Sequence, residues 1–325
     1  MGRHMRRLGP KTWLAMGIVT WLVALGTIRA SAPAGKDPKP AAKKSASLVL
    51  PAQAGAVNVG DDTCVTCHAA EKEGYANTPH SRSADPRTPG AKQGCETCHG
   101  PGSKHITDPA ANPMKDFKKL TADQTNATCT TCHNRGPHAL WDGSTHEARG
   151  LSCVTCHSVH APQSEAHQLK AKDEMALCGT CHHDKVVKLE KTAHMPVEEG
   201  KMECTSCHNV HGSTNVKLLK TGDSVSELCT SCHAEKRGPY LWEHAPVREG
   251  CTTCHDAHGS SNERMLQAKL PMLCQRCHIS SRHPPTIYDQ TQINAGSNRI
   301  LSRACVNCHA AIHGSNHPAG QFFLR

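Results

Sequence analysis

Ten times between residues 64 and 309 the chain spells Cys-x-x-Cys-His. The motifs begin at Cys64, Cys95, Cys129, Cys153, Cys178, Cys204, Cys229, Cys251, Cys274 and Cys305, at intervals of 22 to 34 residues. All 20 cysteines fall inside them, the second of each motif being Cys67, Cys98, Cys132, Cys156, Cys181, Cys207, Cys232, Cys254, Cys277 and Cys308. A fold for this chain must repeat one local chemistry ten times. An internal period of this length describes a quasi-linear array whose units contact mainly their neighbours.

Two thiols three positions apart on a helical turn reach the two vinyl groups on one porphyrin edge. The histidine that follows then lies under the iron, which makes Cys-x-x-Cys-His the attachment sequence of c-type haem. Structural zinc also uses paired Cys-x-x-Cys, but it does not demand His beside the second cysteine every time. Disulfides suit an exported chain, yet they give no reason for that histidine. The reading is therefore ten covalent haem c groups. Their proximal ligands are His68, His99, His133, His157, His182, His208, His233, His255, His278 and His309.

A low-spin electron-transfer haem needs a second strong axial ligand. Histidines recur in register with the motifs and group them into five couplets. After every second motif comes a close histidine: His105, His160, His211, His258 and His313. Between the two motifs of each couplet comes another: His80, His146, His194, His244 and His283. These ten distal candidates give bis-His iron at every haem. His317 competes with His313 for the last place, and the Gly-Ser context favours His313. His138, His167 and His183 have no such place in the repeat and read as surface or propionate-bonded residues.

Composition agrees. Aromatic residues are 3 % of the chain and hydrophobic residues 37 % with cysteine counted among them. Protein alone would struggle to bury enough apolar surface to offset chain entropy, so porphyrin must fill the interior. The formal charge of +9 falls to +4 when five basic residues and no acidic one leave with the first 30 residues. Ten haems with their propionates bring the oxidised protein to roughly −6 and the reduced protein to roughly −16. The basic balance is no sign of nucleic-acid binding, and no aromatic-plus-basic patch supports it.

Residues 1–30 read as a secretory signal, with Arg3, Arg6 and Arg7 ahead of an apolar run from Trp13 to Ile28 and a small-residue cleavage site after Ala30. The run is short for an uncleaved membrane span. Residues 31–60 are rich in Ala, Pro, Lys and Ser and read as a flexible linker. Residues 61–325 form the decahaem domain. Helix starts are signalled at Thr121-Ala-Asp-Gln, Asp173-Glu-Met-Ala-Leu and Asp223-Ser-Val-Ser-Glu-Leu. Gly and Pro interrupt elsewhere, and no run alternates as a strand does. The expected fold is a multihaem cytochrome c: mostly irregular coil with short α-helices around a stacked, extended chain of ten haems, with little or no β.

Ten six-coordinate haems leave no open iron for catalysis and suit outer-sphere electron transfer instead. The stretch from Cys229 to Val247, the stretch from Cys251 to Ser260 and the ending His313-Gly-Ser-Asn-His-Pro-Ala-Gly resemble the MtrA/MtoA/PioA/DmsE family of periplasmic decahaem cytochromes. The resemblance covers about residues 61–325. It implies a molecular wire that sits in the periplasm at the outer membrane, inserted in a β-barrel porin. It implies periplasmic cytochromes as electron donors or acceptors and an extracellular multihaem cytochrome as a further partner. Family members serve iron or mineral reduction, sulfoxide respiration or iron(II) oxidation. A free periplasmic carrier is the alternative, and a multihaem reductase is disfavoured by the missing open site.

Overall fold

The computed structural model describes residues 53–278 and 304–324. The expected export signal, the linker up to residue 52, and His283 lie outside the described residues.

Every Cys-x-x-Cys-His is one helical turn. In all ten, the histidine amide donates to the carbonyl of the first cysteine over 2.9–3.1 Å. Positions i, i+3 and i+4 share a helix face, so this bond gathers both thiols and the imidazole on one side. Two forms of the turn alternate. In the first motif of a couplet a helix runs into the first cysteine, as in Asp61–Cys64, Ala122–Thr130, Glu174–Cys178 and Val225–Thr230. In the second motif the turn stands almost alone, as in Glu96–His99, Cys153–Cys156, Cys204–Cys207 and the 3-10 turn Cys251–Thr253.

The signalled helix starts are present. Thr121 and Gln124 form a capping box, and Asp173 accepts from the Ala176 amide at 2.7 Å. In the third case the cap is Ser224, one residue beyond Asp223, accepting from the Glu227 amide.

A second set of caps works across each couplet. A side chain three or four residues ahead of the first motif accepts from the turn that opens the second. Asp61 takes the Cys95 amide at 2.8 Å, and Asn126 takes the Cys153 amide at 2.9 Å. Glu174 takes the Thr205 amide at 2.8 Å and its hydroxyl at 2.6 Å. Ser226 takes the Cys251 amide at 3.4 Å. The fifth couplet has Pro271 three residues ahead of Cys274, with no side-chain acceptor. The leading cysteines of the two motifs of each couplet are electrostatic neighbours, Cys64 with Cys95, Cys129 with Cys153, Cys178 with Cys204, Cys229 with Cys251, and Cys274 with Cys305, the last pair without such a cap.

Couplets meet their successors through the trailing cysteines. Cys98 is acted on electrostatically by Cys132, Cys156 by Cys181, Cys207 by Cys232 and Cys254 by Cys277. Each second motif thus lies beside the first motif of the next couplet.

Three second motifs are followed by the same return of the chain. His157 bridges Leu169, His208 bridges Leu219 and His255 bridges Leu266. The turn before each leucine uses two successive left-handed residues: His167 and Gln168, Lys217 and Leu218, Arg264 and Met265, with φ between 52° and 62°. None is glycine, and such a residue costs about 1–2 kcal/mol. The bridges offset this with paired amides, for instance Ser158 to the Gln168 carbonyl at 2.8 Å and Lys170 to the Cys156 carbonyl at 2.9 Å. They remain isolated bridges, and no strand forms among the described residues.

The buried apolar side chains among the described residues are Tyr75, Trp141, Leu169 and Leu189. Buried polar ones outnumber them, Glu96, Thr125, Asn126 and Glu174 included. The Asn126 side chain accepts from the Cys153 amide and from the Cys153 thiol at 3.2 Å, and donates to the Leu151 carbonyl at 3.2 Å. Replacing it with alanine strips the cap from the second turn of its couplet. The Asn126→Ala variant is expected to lose about 1–3 kcal/mol of unfolding free energy, read by denaturant titration of the haem absorption.

Candidate haem sites

The geometry of one site is set by the proximal turn and tuned by what the other ring nitrogen meets. In all five second motifs, Nδ1 of the proximal histidine faces a main-chain carbonyl. His99 meets Lys115 at 2.8 Å, His157 meets His167 at 2.7 Å, and His208 meets Lys217 at 2.8 Å. His255 meets Arg264 at 2.8 Å and His309 meets Phe322 at 2.6 Å. A bond from Nδ1–H to a carbonyl fixes the tautomer and leaves the Nε2 lone pair for metal. The left-handed pairs of the return loops are what turn the His167, Lys217 and Arg264 carbonyls toward these rings. Among the described residues no first motif shows this bond: Nδ1 of His68 and of His233 lie 3.9 Å and 3.7 Å from the carboxylates of Glu71 and Glu235, both exposed.

Two imidazoles bound through nitrogen to the opposite faces of one iron have ring centroids about 6.3 Å apart, given metal–nitrogen bonds of about 2 Å. Eight pairs, each joining an expected proximal histidine to an expected distal one, stand near that distance. His68 and His105 are 6.4 Å apart, and His80 and His133 are 5.8 Å apart. His99 and His160 are at 6.1 Å, His146 and His182 at 6.3 Å, and His157 and His211 at 6.0 Å. His208 and His258 are at 6.2 Å, His244 and His278 at 6.2 Å, and His255 and His313 at 6.3 Å.

The pairs obey a rule. From the second couplet on, a first-motif histidine faces the mid-couplet histidine of the preceding couplet: His133 with His80, His182 with His146, His278 with His244. A second-motif histidine faces the close histidine of the following couplet: His99 with His160, His157 with His211, His208 with His258, His255 with His313. At the leading end His68 faces His105 of its own couplet.

Burial favours the neutral form in eight of these rings. Desolvation, first among the causes, holds His80, His99, His133, His157, His244, His258 and His313 below the usual imidazole range. His211 falls to about 4, through burial and then through the neighbouring His138. A neutral imidazole is the metal-binding form. Three distal rings also have Nδ1 against a carbonyl: His105 on Asn112, His146 on Val210 and His160 on Glu71.

Two of the ten expected distal residues are not seen in this arrangement. His194 is turned to the Lys191 carbonyl through Nδ1 and to Glu199 through Nε2 at 3.1 Å. Among the described residues no ring faces His233, the partner that the pairing rule would give it. His283, the candidate left for His309, lies outside the described residues.

The leftover histidines have definite places. His317 takes the Ala319 amide on Nδ1, and its carbonyl takes the Trp242 indole N–H at 3.0 Å. His167 supplies a carbonyl to His157. His183 opens the His183–Leu189 helix and is exposed. His138 departs from the surface reading: its ring lies 5.4 Å from His133 and 4.3 Å from His211, between two sites. Nothing in the repeat singles it out, because no other couplet has a histidine there.

All twenty cysteines are free of disulfides, and among the described residues no group of three or more His, Cys, Asp or Glu side chains is assembled to hold a metal directly. The donor set fits covalent haem c: paired thiols on a helical turn, an adjacent imidazole with its tautomer fixed, and a facing imidazole one iron-width away.

These turns and ring pairs define a multihaem c-type cytochrome. Residues 194–238 and 244–283 match the family described as doubled CXXCH motif, and residues 95–181 match the family described as cytochrome c-type protein NrfB-like. The chain is 41 % identical over 276 residues to the multihaem cytochrome MtrA of Shewanella baltica, covering 82 % of this chain and 81 % of that one. It therefore belongs to the MtrA family of multihaem cytochromes and carries covalently attached haem c. It is also 27 % identical over 129 residues to the cytochrome c-type protein NrfB of Escherichia coli, 38 % of this chain and 66 % of that one. With the C-type polyhaem cytochrome OmcB of Geobacter sulfurreducens it shares 26 % identity over 226 residues, 54 % of this chain and 29 % of that one.

The geometry separates His313 from His317. His313→Ala is expected to convert one haem to a high-spin species in electron paramagnetic resonance of the oxidised protein. His317→Ala should leave every haem low-spin.

Proposed function

We propose that this chain binds ten haems, each covalently through one Cys-x-x-Cys-His motif and each with bis-His iron, and that it passes electrons along them. The single observation that carries this reading is the ring-pair rule. Every pair beyond the leading end joins two adjacent couplets, so each porphyrin is clamped by its neighbours in sequence and lies beside the next one. Bis-His iron changes oxidation state with little ligand rearrangement, and with both axial positions filled there is no site for substrate. His194 then closes on the haem of His233, and His283 on that of His309, completing the rule.

In this reading residues 1–30 direct export and are removed, and residues 31–60 tether the decahaem domain. The family relationship supports a place at the periplasmic side of the outer membrane, within a β-barrel porin that insulates the series. Periplasmic cytochromes supply or accept electrons at one end. An extracellular multihaem cytochrome, mineral iron or iron(II) exchanges them at the other. No helix of the described residues is long and apolar enough to cross a membrane, so a crossing would rest on the porin. A free periplasmic carrier is the second reading, supported by the NrfB-like match over residues 95–181.

Liposomes holding reduced methyl viologen separate the two. With the holoprotein and a β-barrel porin from the same organism in the bilayer, ferric citrate added outside should bleach the dye. Porin alone and holoprotein alone should not. Failure of the pair to bleach the dye overturns the conduit and leaves the carrier.

A further inference from the structure

At four places two successive couplets press together so closely that one side of the contact has no side chain. A Cβ on Gly74 would overlap the His160 carbonyl oxygen, and one on Gly212 the Leu140 carbonyl oxygen. A Cβ on Gly259 would overlap the Lys188 carbonyl oxygen, and one on Gly314 the Tyr240 ring.

The four contacts share a register. One side lies six or seven residues after the proximal histidine of a first motif: Gly74, Leu140, Lys188 and Tyr240. The other side is the close histidine of the following couplet or the residue directly after it: His160, Gly212, Gly259 and Gly314. Paired amides tighten two of the four. Ala193 and Ser260 exchange bonds of 3.1 Å and 2.8 Å, and Trp242 and Ser315 exchange bonds of 2.9 Å and 3.0 Å.

The first junction is the informative one. The residue after His160 is Ala161, not glycine. The space is supplied from the opposite side by Gly74, inside the helix Ala69–Ala76. Glycine in a helix interior costs stability relative to alanine, so the helix itself gives no reason for it. His160 sits on that same helix, its Nδ1 3.2 Å from the Glu71 carbonyl. His105, the close histidine with no couplet before it, is followed by Ile106. Glycine therefore tracks the contact between couplets and not the histidine motif.

We propose that Gly74, Gly212, Gly259 and Gly314 are positioning residues for axial ligation, each letting a close histidine approach far enough to reach the iron of the preceding couplet. The histidines seated at these contacts are the ones that face second-motif rings, His160 on His99 at 6.1 Å and His211 on His157 at 6.0 Å among them. The proposal rests on the bis-His reading and deepens it. A metal–nitrogen bond of about 2 Å holds its length to within about 0.2 Å. A methyl group wedged between the couplets exceeds that tolerance, and an iron that loses its second strong ligand leaves the low-spin state.

Gly74 is the cleanest test, because its helical backbone accepts alanine, whereas Gly212 and Gly259 stand at φ 129° and 123°. The measurement is electron paramagnetic resonance of the oxidised holoprotein, with a pyridine haemochrome count for loading. Gly74→Ala should turn one haem in ten high-spin, and free imidazole should return it to low-spin by filling the vacated face. His160→Ala should give the same single high-spin haem, and the double variant should still give one and not two. Gly314→Ala should perturb the haem of His255, and adding Tyr240→Ala, which removes the obstructing ring, should restore the parent spectrum. This second pair decides the matter if Gly74→Ala does not load ten haems. Parental spectra for fully loaded Gly74→Ala and Gly314→Ala would overturn the proposal. So would two high-spin haems in the double variant, or no recovery on adding Tyr240→Ala. A silent Gly74→Ala beside a high-spin His160→Ala removes the positioning role and leaves the bis-His reading standing. A silent His160→Ala overturns that reading at this haem, and the proposal with it.

Discussion

Tyr75, Trp141, Leu169 and Leu189 are the buried apolar side chains among the described residues, and they cannot by themselves order a chain of this length. Fixing one residue of backbone costs about 1–2 kcal/mol, and burying one such side chain returns about 1.5–3 kcal/mol. The rest of the architecture answers that shortage. Backbone polar groups are satisfied locally, in ten near-identical turns and three near-identical bridges. Buried polar side chains such as Glu96, Asn126 and Glu174 cap turns that belong to other segments. Glu96 alone accepts the Val59, Gly60 and Gly102 amides, which pins the start of the domain to its first couplet. The apolar bulk that a protein core normally supplies falls to the porphyrins.

Cofactor packing of this kind explains why the couplet and not the single motif is the unit. A lone Cys-x-x-Cys-His turn is too short to be stable in isolation. Joined by a cap such as Asn126 on the Cys153 amide, two turns share their leading cysteines and present two porphyrin faces together. In the proposed bis-His reading the axial histidines come from adjoining couplets, so that haem binding and couplet assembly are one event. The same arrangement has an electronic consequence. In that reading neighbouring irons would be held by a shared protein frame.

Much of this was legible in the sequence, for identifiable reasons. Cys-x-x-Cys-His names its own chemistry, and the register of His80, His146 and His244 against the motifs exposed the couplets. What could not be read was which histidine faces which. His146 and His182 belong to different couplets, and His157 meets His211 across 53 intervening positions, a distance that spacing alone does not encode. The return loops were hidden because their left-handed residues, such as Lys217 and Leu218, are not the glycines that usually mark such turns. Asn126 looked like an ordinary helix residue, although its side chain serves the next motif. His138 looked incidental and lies between two sites. His194 fits the register and yet is held by Lys191 and Glu199, because three residues, Lys201 to Glu203, separate Gly200 from its motif where Gly250 adjoins Cys251 directly. The helix Ala245–Glu249 that follows His244 is replaced there by a turn closed on Pro196.

The ends of the array complete the logic of its length. Inside it, the second and fourth couplets each lend one histidine forward and one back, and the third lends His211 back. At the leading end that exchange has no neighbour, and His68 takes His105 from its own couplet instead. In the proposed reading, the mirror-image closure at the other end would draw on His283. An array built this way can gain or lose interior couplets without altering any local site, provided each end folds its spare histidine inward. That is the behaviour of a repeat protein with adapted terminal units. It also accounts for partial matches such as the 129 residues shared with NrfB and the 226 shared with OmcB. Relatives of different lengths can share the same interior link because the chemistry of a couplet is closed over its immediate neighbours and indifferent to how many lie beyond.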